Sequence, residues 1–184
     1  MDAFEQLVSE ILWMSGFWVR TSVKVELTKA EKREIGRHSS PRWELDIVGY
    51  KALENTLLVV ECKSYLDSVG VRAASFDGSS AEHAKRYKLF NEPALRKVVF
   101  KRLALQFTES GACAKEPTVR LALACGRIRN DADRKAIRAH FEAQGWELWD
   151  EPWLRKHLHR MAEQGYENQV SAVVAKLLLR GKLD

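Results

Sequence analysis

No apolar run in this chain comes near the length that a membrane-crossing helix needs. The longest, Leu57 to Val60 and Leu177 to Leu179, stop far short of roughly 20 residues, so no membrane partner is expected. Cysteine is scarce. Cys62, Cys113 and Cys125 are odd in number and without CxxC spacing, and each has the apolar or small neighbours typical of free buried thiols. A reducing compartment fits that usage. The start, Met1-Asp2, carries no basic segment followed by a long apolar one, so it does not read as a secretory signal and the cytoplasm is the expected location. A GxxxxGK[ST] phosphate loop is missing too, so nucleotide hydrolysis would need a partner protein.

What is present suffices for one core. With 184 residues, 46% of them hydrophobic, the chain can close a single domain without disulfides or a structural metal. The net charge of +5 is unevenly spread. Arg20 to Arg42 holds seven Lys or Arg against three Glu, and Glu82 to Arg102 holds seven against two, which leaves the rest net acidic. Two solvated faces would explain this, and so would a nucleic-acid footprint.

Asp2 precedes a helical pattern of Phe4, Leu7, Val8, Ile11 and Leu12 that stops near Ser15-Gly16. Phe17 to Leu27 alternates as a strand, with Trp18, Arg20, Ser22 and Lys24 on one side and Val19, Thr21, Val23 and Val25 on the other. Thr28 to Pro41 reads as an exposed basic loop. Trp43 to Tyr50 and Leu57 to Ser64 form an antiparallel hairpin across Ala52 to Asn55, and Tyr65 to Ser80 reads as a long mobile loop. Helices over Ala81 to Asn91 and Ala94 to Glu109 lead to a central strand, Thr118 to Cys125. A helix over Asp131 to Gln144, a strand over Trp146 to Asp150 and helices over Pro152 to Gln164 and Glu167 to Arg180 complete the chain. That order predicts an α/β domain over 1–184, a mixed sheet flanked by helices, with its motifs in 1–126 and a C-terminal strand and helices in 127–184.

The chemistry concentrates in the hairpin. Glu61 and Lys63, two apart on a strand, share a face. A connection centred between Leu53 and Glu54 pairs residues whose numbers sum to 107, which sets Asp46 opposite Glu61. Two carboxylates facing each other repel by up to about 1 kcal/mol, and a divalent cation between them removes that cost. Asp46, Glu61 and a backbone carbonyl such as that of Cys62 offer oxygen alone, which suits Mg²⁺ or Mn²⁺. Lys63 would then hold the attacking water or the charge developing on a phosphate. A surface hairpin with solvated charges is the plain alternative, although four apolar β-formers directly before Glu61 argue for half-burial.

The order of helix Phe4-Glu5-Gln6-Leu7-Val8, turn Gly16-Phe17, strand Glu44-Leu45-Asp46-Ile47-Val48 and strand Val60-Glu61-Cys62-Lys63-Ser64 resembles the PD-(D/E)xK nuclease superfamily. Within it, the chain resembles archaeal Holliday-junction resolvases and Mrr-like restriction endonucleases. The resemblance covers residues 1 to about 65, and Glu44-Leu45 stands where the motif's proline would be. It implies a restriction-endonuclease-like fold, Asp46 and Glu61 as metal ligands, Lys63 as the catalytic lysine and Glu5 as an assisting helix acid, with Glu10 its rival.

The basic residues Arg20, Lys24, Arg37 and Arg42 precede the Asp46 strand, and Lys85, Arg86, Lys97 and Lys101 follow the long loop, placed to meet phosphates without reading sequence. Trp18 and Trp43 are expected in the core more than as base-stacking platforms. His157-x-His159 and His140, without cysteine partners, do not make a zinc site, and Ser79, Ser80 and His83 read as a turn into a helix. The stripe Val170, Val173, Val174, Leu177 and Leu178 either covers the sheet or forms a homodimer face. The expectation is a Mg²⁺-dependent endonuclease acting on duplex or branched DNA, with a non-cleaving DNA-binding module of the same fold as the alternative.

Overall fold

Asp2 starts the first helix, α1 (Ala3–Met14), through a capping box. Its carboxylate accepts the Glu5 amide at 2.8 Å, and the Glu5 carboxylate accepts the Asp2 amide at 3.2 Å, so two donors orphaned at the helix start are satisfied. The computed structural model describes residues 2–38, 42–165 and 168–180. Five strands follow α1 in one sheet: β1 (Trp18–Val25), β2 (Trp43–Lys51), β3 (Thr56–Lys63), β4 (Thr118–Cys125) and β5 (Glu147–Trp149), lying side by side in chain order. The first three run antiparallel, and β3, β4 and β5 run parallel. The architecture is α/β, a mixed sheet with helices on both faces.

The two faces bury separate cores. Helices α5 (Pro93–Glu109) and α6 (Asp131–Gln144) cover one, where Val98, Leu103, Ile137 and Phe141 meet Leu57, Val59, Leu121 and Leu123. Helices α1, α7 (Glu151–Glu163) and α8 (Val170–Leu179) cover the other, over Ile47, Leu58, Val60 and Ala122. Strands β3 and β4 are buried on both sides. Each such Leu or Val contributes on the order of 2 kcal/mol, so this pair is the rigid base on which β3 presents Glu61 and Lys63.

The hairpin register is the one the turn length dictates. Ile47 pairs with Val60, Val48 with Val59 and Lys51 with Thr56, every pair summing to 107. Asn55, left-handed at φ 43°, closes a single 3₁₀ turn, Ala52–Glu54, between the strands.

Several expectations fail for identifiable reasons. The segment after Leu27 is not all loop. Thr28 and Glu31 form a second capping box, which starts α2 (Lys29–Glu34), and Arg102 holds Glu31 through Nε and Nη2. Pro41, where that loop was expected to end, lies outside the described residues, as does Glu167. The stretch from Tyr65 to Ser80 is not loose either. Val71 is bonded on both sides to the backbone of Arg127 and Arg129, and the Ala73 amide donates to buried Asp133. The helical stretch after Ser80 is broken at Lys85 to Tyr87 into α3 (Ala81–Ala84) and α4 (Lys88–Asn91). Trp18 is 74% exposed, not core. It pairs with Tyr50, four positions along β2 from Asp46, or about 13 Å away at ~3.3 Å per residue.

The apolar stripe of α8 faces outward. Ala172 and Ala175 are its buried side, while Val170, Leu177 and Leu178 are exposed, so of the two alternatives for the stripe, covering the sheet falls to the small residues instead. No helix among the described residues is long and apolar enough to cross a membrane.

His157 has structural partners. The His157 ring stacks on Trp153 at 3.6 Å between centroids, and Trp153 stacks on Trp149. Burial lowers the His157 pKa; the Trp153 carbonyl opposes this, and Arg160 and Lys156 add to the lowering. The unfolded chain therefore takes up a proton first as pH falls below 6.5. His157 favours folding above that pH and loses its contribution as pH drops through the depressed value. Thermal melts of His157→Gln between pH 7 and 5 should show a shallower acid decline than the parent, and an unchanged slope would remove His157 from that decline.

Candidate active site

The candidate residues meet where β2 begins and β3 ends. The register reaches Ile47 and Val60, and its next step sets Asp46 beside Glu61. There the ladder gives way to a side-chain contact, because Asp46 Oδ2 accepts the Cys62 amide at 2.7 Å. Lys63 Nζ donates to Glu61 Oε1 at 2.7 Å and to the Cys62 carbonyl at 3.1 Å. Both side chains are 20% exposed. Glu5, at the start of α1, is close enough that its charge raises the pKa of both Glu61 and Cys62.

A kink accompanies Asp46. In β1, Thr21 pairs with Ile47 and Val23 with Leu45, which leaves Ser22 opposite Asp46 with φ at 50°. The even alternation expected of β1 breaks there, since Val19 packs on the α1 side of the sheet and Val23 and Val25 on the α5 side. Strand β2 changes face at the same level, with Ile47 in one core and Leu45 in the other. A non-glycine residue in this region costs of order 1–3 kcal/mol and persists only where its surroundings impose it. Tyr65, two residues beyond Lys63, has φ of 45°, so two of the four left-handed non-glycine residues among the described residues flank the acidic cluster.

Asp46 and Glu61 both act on the Lys63 ammonium, and the charge of Glu5 reaches Glu61. Burial pushes the Glu61 carboxyl up, Lys63 opposes this, and Asp46 and Glu5 push it further up, with a net rise. An ordinary ion pair would lower it. Burial alone would lower the Lys63 pKa, but the Glu61 carboxylate outweighs it and, with Asp46 and Tyr65, holds the ammonium protonated. Burial and the same carboxylates keep the Cys62 thiol neutral.

The oxygens expected to hold a metal are those now holding an ammonium. Glu61 and the Cys62 carbonyl both accept from Lys63, with Asp46 alongside. Such a donor set fits a hard divalent ion. Among the described residues, no three carboxylate, imidazole or thiol groups are gathered closely enough to hold one ion as placed.

Of the two candidate helix acids, Glu5 points its charge at the cluster and Glu10 does not. Glu10 accepts from Gln6 and from the Ser171 amide and hydroxyl, which anchor the start of α8.

The predicted basic residues separate into groups. Lys24 pairs with Glu44 at the Asp46 end of the sheet, and Arg42 lies there too, in an exposed ion pair with Glu26 at 3.3 Å. Arg37 is committed to Glu92 at 2.7 Å and to the Trp43 ring. Arg20 is exposed, with its guanidinium 5.6 Å from the Phe107 ring centre. Lys85, Arg86, Lys97 and Lys101 are exposed, and the Tyr65 side chain acts on Arg86. Tyr65, Arg72 and Tyr87 were not anticipated as site residues. The only sequence sign of them was the position of Tyr65 two residues after Lys63.

No family model matches this chain, and neither the curated proteins nor the solved structures give a match.

Proposed function

We propose that this chain is a divalent-metal-dependent deoxyribonuclease that hydrolyses phosphodiester bonds at the junction of β2 and β3. The observation that carries the reading is the meeting of Asp46 and Glu61 on one ammonium, with the charge of Glu5 acting on Glu61, at a kinked strand end. A fold gains nothing from such repulsion unless a cation or a reaction uses it. Asp46, Glu61 and the Cys62 carbonyl would hold Mg²⁺ or Mn²⁺, which supplies Lewis-acid polarisation of a phosphoryl oxygen and a more acidic bound water. Lys63 neutralises charge growing on the phosphate, and Glu5 orients water from the helix start. Lys24, Arg42 and Arg86 steer the DNA backbone towards that end of the sheet.

The competing reading is a DNA-binding module that keeps the fold without cutting. It is favoured by the direct contact of Lys63 with two of the three proposed metal ligands. Incubation with supercoiled, linear, branched and single-stranded DNA in Mg²⁺ or Mn²⁺ separates the two. Asp46→Asn and Glu61→Gln should lower cutting by at least about 10²-fold and leave DNA binding in EDTA intact. Metal binding has its own readout. Mg²⁺ at about 100 times its Kd stabilises by ~2.7 kcal/mol, or about 5–10 °C in Tm at this size, and either substitution should abolish that shift. An inactive parent protein that binds every DNA tested selects the module, and an equal Mg²⁺ shift in the substituted proteins rejects the ligand assignment.

A further inference from the structure

Beside the acidic cluster lies a cavity of about 220 Å³, lined by Tyr65, Arg72, Ser75, His83, Arg86 and Tyr87 among others, with no Asp or Glu in its wall. At ~30 Å³ per water it has room for about seven waters, enough for a phosphate group with its ester oxygen and sugar edge and too little for a duplex. Among the described residues neither Arg72 nor Arg86 forms an ion pair. The nearest carboxylate to act on Arg86 is Glu82, a weak contributor.

The walls are held in place. Tyr65 leaves β3 in a left-handed conformation, and its side chain acts on those of Arg86 and Tyr87. Burial and Tyr65 keep the Tyr87 phenol protonated. Gly70, at φ 92°, passes so close to Arg127 that a Cβ would lie 2.9 Å from the Arg127 carbonyl oxygen. Two forked guanidiniums, an imidazole and phenolic hydroxyls in an open concavity suit a phosphomonoester, whose charge of about −1.5 to −2 at neutral pH exceeds that of an internal diester and whose oxygens accept bidentate bonds.

We infer that this cavity seats the terminal phosphate of a DNA strand, so that an internal phosphodiester of the same strand reaches Asp46, Glu61 and Lys63. Tyr65 links the two places, lining the cavity and acting on Lys63. The inference rests on the nuclease reading for the identity of the strand, and it makes strand ends, nicks and gaps the favoured substrates.

Binding in EDTA tests it apart from cleavage. Fluorescence anisotropy of the Asp46→Asn protein with one labelled single strand, carrying a 5′-phosphate, a 3′-phosphate or two hydroxyl ends, should give at least about tenfold tighter binding for one phosphorylated end. Arg72→Gln with Arg86→Gln should erase that preference, with folding checked by circular dichroism. Lys97→Gln, an exposed cation outside the cavity, should weaken all three strands by the same factor. Equal affinity for phosphorylated and hydroxyl ends overturns the inference, as does a double substitution that weakens every strand alike. Competition by a deoxynucleoside monophosphate at the same concentration as the phosphorylated strand also overturns it, because the strand would then add nothing. Cleavage without end preference would leave the nuclease reading standing alone, and end preference without cleavage would leave the cavity standing alone.

Discussion

Lys63→Met should lower DNA cleavage by about 10²–10⁴-fold and destabilise the protein in EDTA by about 3 kcal/mol at neutral pH. The second effect is the more informative. Methionine keeps the volume of the lysine stem but removes the cation paired with Glu61, and breaking a buried pair costs about 3–5 kcal/mol because the remaining charge is left uncompensated. At 20% exposure for both side chains, the lower figure applies. The Glu61 pKa is already raised with Lys63 present, and it rises further without it. A folded state with a raised carboxyl pKa binds its proton more tightly than the unfolded chain, so stability is gained as pH falls through the folded value and stops improving below the unfolded value near 4.5. The deficit of Lys63→Met should therefore be larger at pH 8 than at pH 5. If divalent metal binds the same oxygens, Mg²⁺ should restore part of the lost Tm, and more than it adds to the parent protein. Matching melts for the two proteins at both pH values would show that Glu61 does not depend on Lys63.

The hairpin and its register were legible because they depend on near neighbours. Four apolar β-formers, a four-residue connection and Asn55 fix which residues pair, and the two-residue period then places Glu61 with Lys63. What stayed hidden depends on distant partners or on backbone strain. Nothing in Thr21-Ser22-Val23 announces a positive φ at Ser22, since the kink is imposed by the strand carrying Asp46. Thr28 and Glu31 do spell a capping box, but α2 buries none of its residues and so has no apolar period to reveal it. Tyr65 to Ser80 carries glycine and turn chemistry throughout, and the groups that pin it, near Arg127 and at Asp133, lie more than 50 residues away. In the basic stretches, Arg37 pairs with Glu92 and Arg102 with Glu31, acids on other elements that a charge count along the chain does not connect. On α8, a stripe pattern shows which side is apolar but not which side is turned inward, and two alanines allow the closer approach.

That same dependence on a remote partner makes Gly126 the position where the smallest change should do the most damage. The end of β4 runs so close to the end of β3 that a Cβ on Gly126 would lie 2.2 Å from the Ser64 carbonyl oxygen and 2.9 Å from the Leu66 side chain. The first of these is backbone and cannot swing aside. The Gly126 amide also donates to the Lys63 carbonyl at 3.1 Å, so relief of the clash parts the strands beside the lysine. Overpacking of this kind costs about 1–3 kcal/mol or more, and the loss of the hydrogen bond adds about 1 kcal/mol. At ~2–4 °C per kcal/mol for a chain of this length, Gly126→Ala should lower Tm by about 10 °C. It should also reduce cleavage at least tenfold at temperatures where the protein remains folded, because Lys63 and Tyr65 lie on either side of the displaced Ser64. Gly145→Ala is the control. It ends α6 at φ 69° with nothing within 4 Å of a Cβ, so it should bear only the left-handed strain of about 1–2 kcal/mol and keep full activity. If Gly126→Ala cut DNA as fast as Gly145→Ala, the approach of β4 to Ser64 would not be what holds the lysine in position.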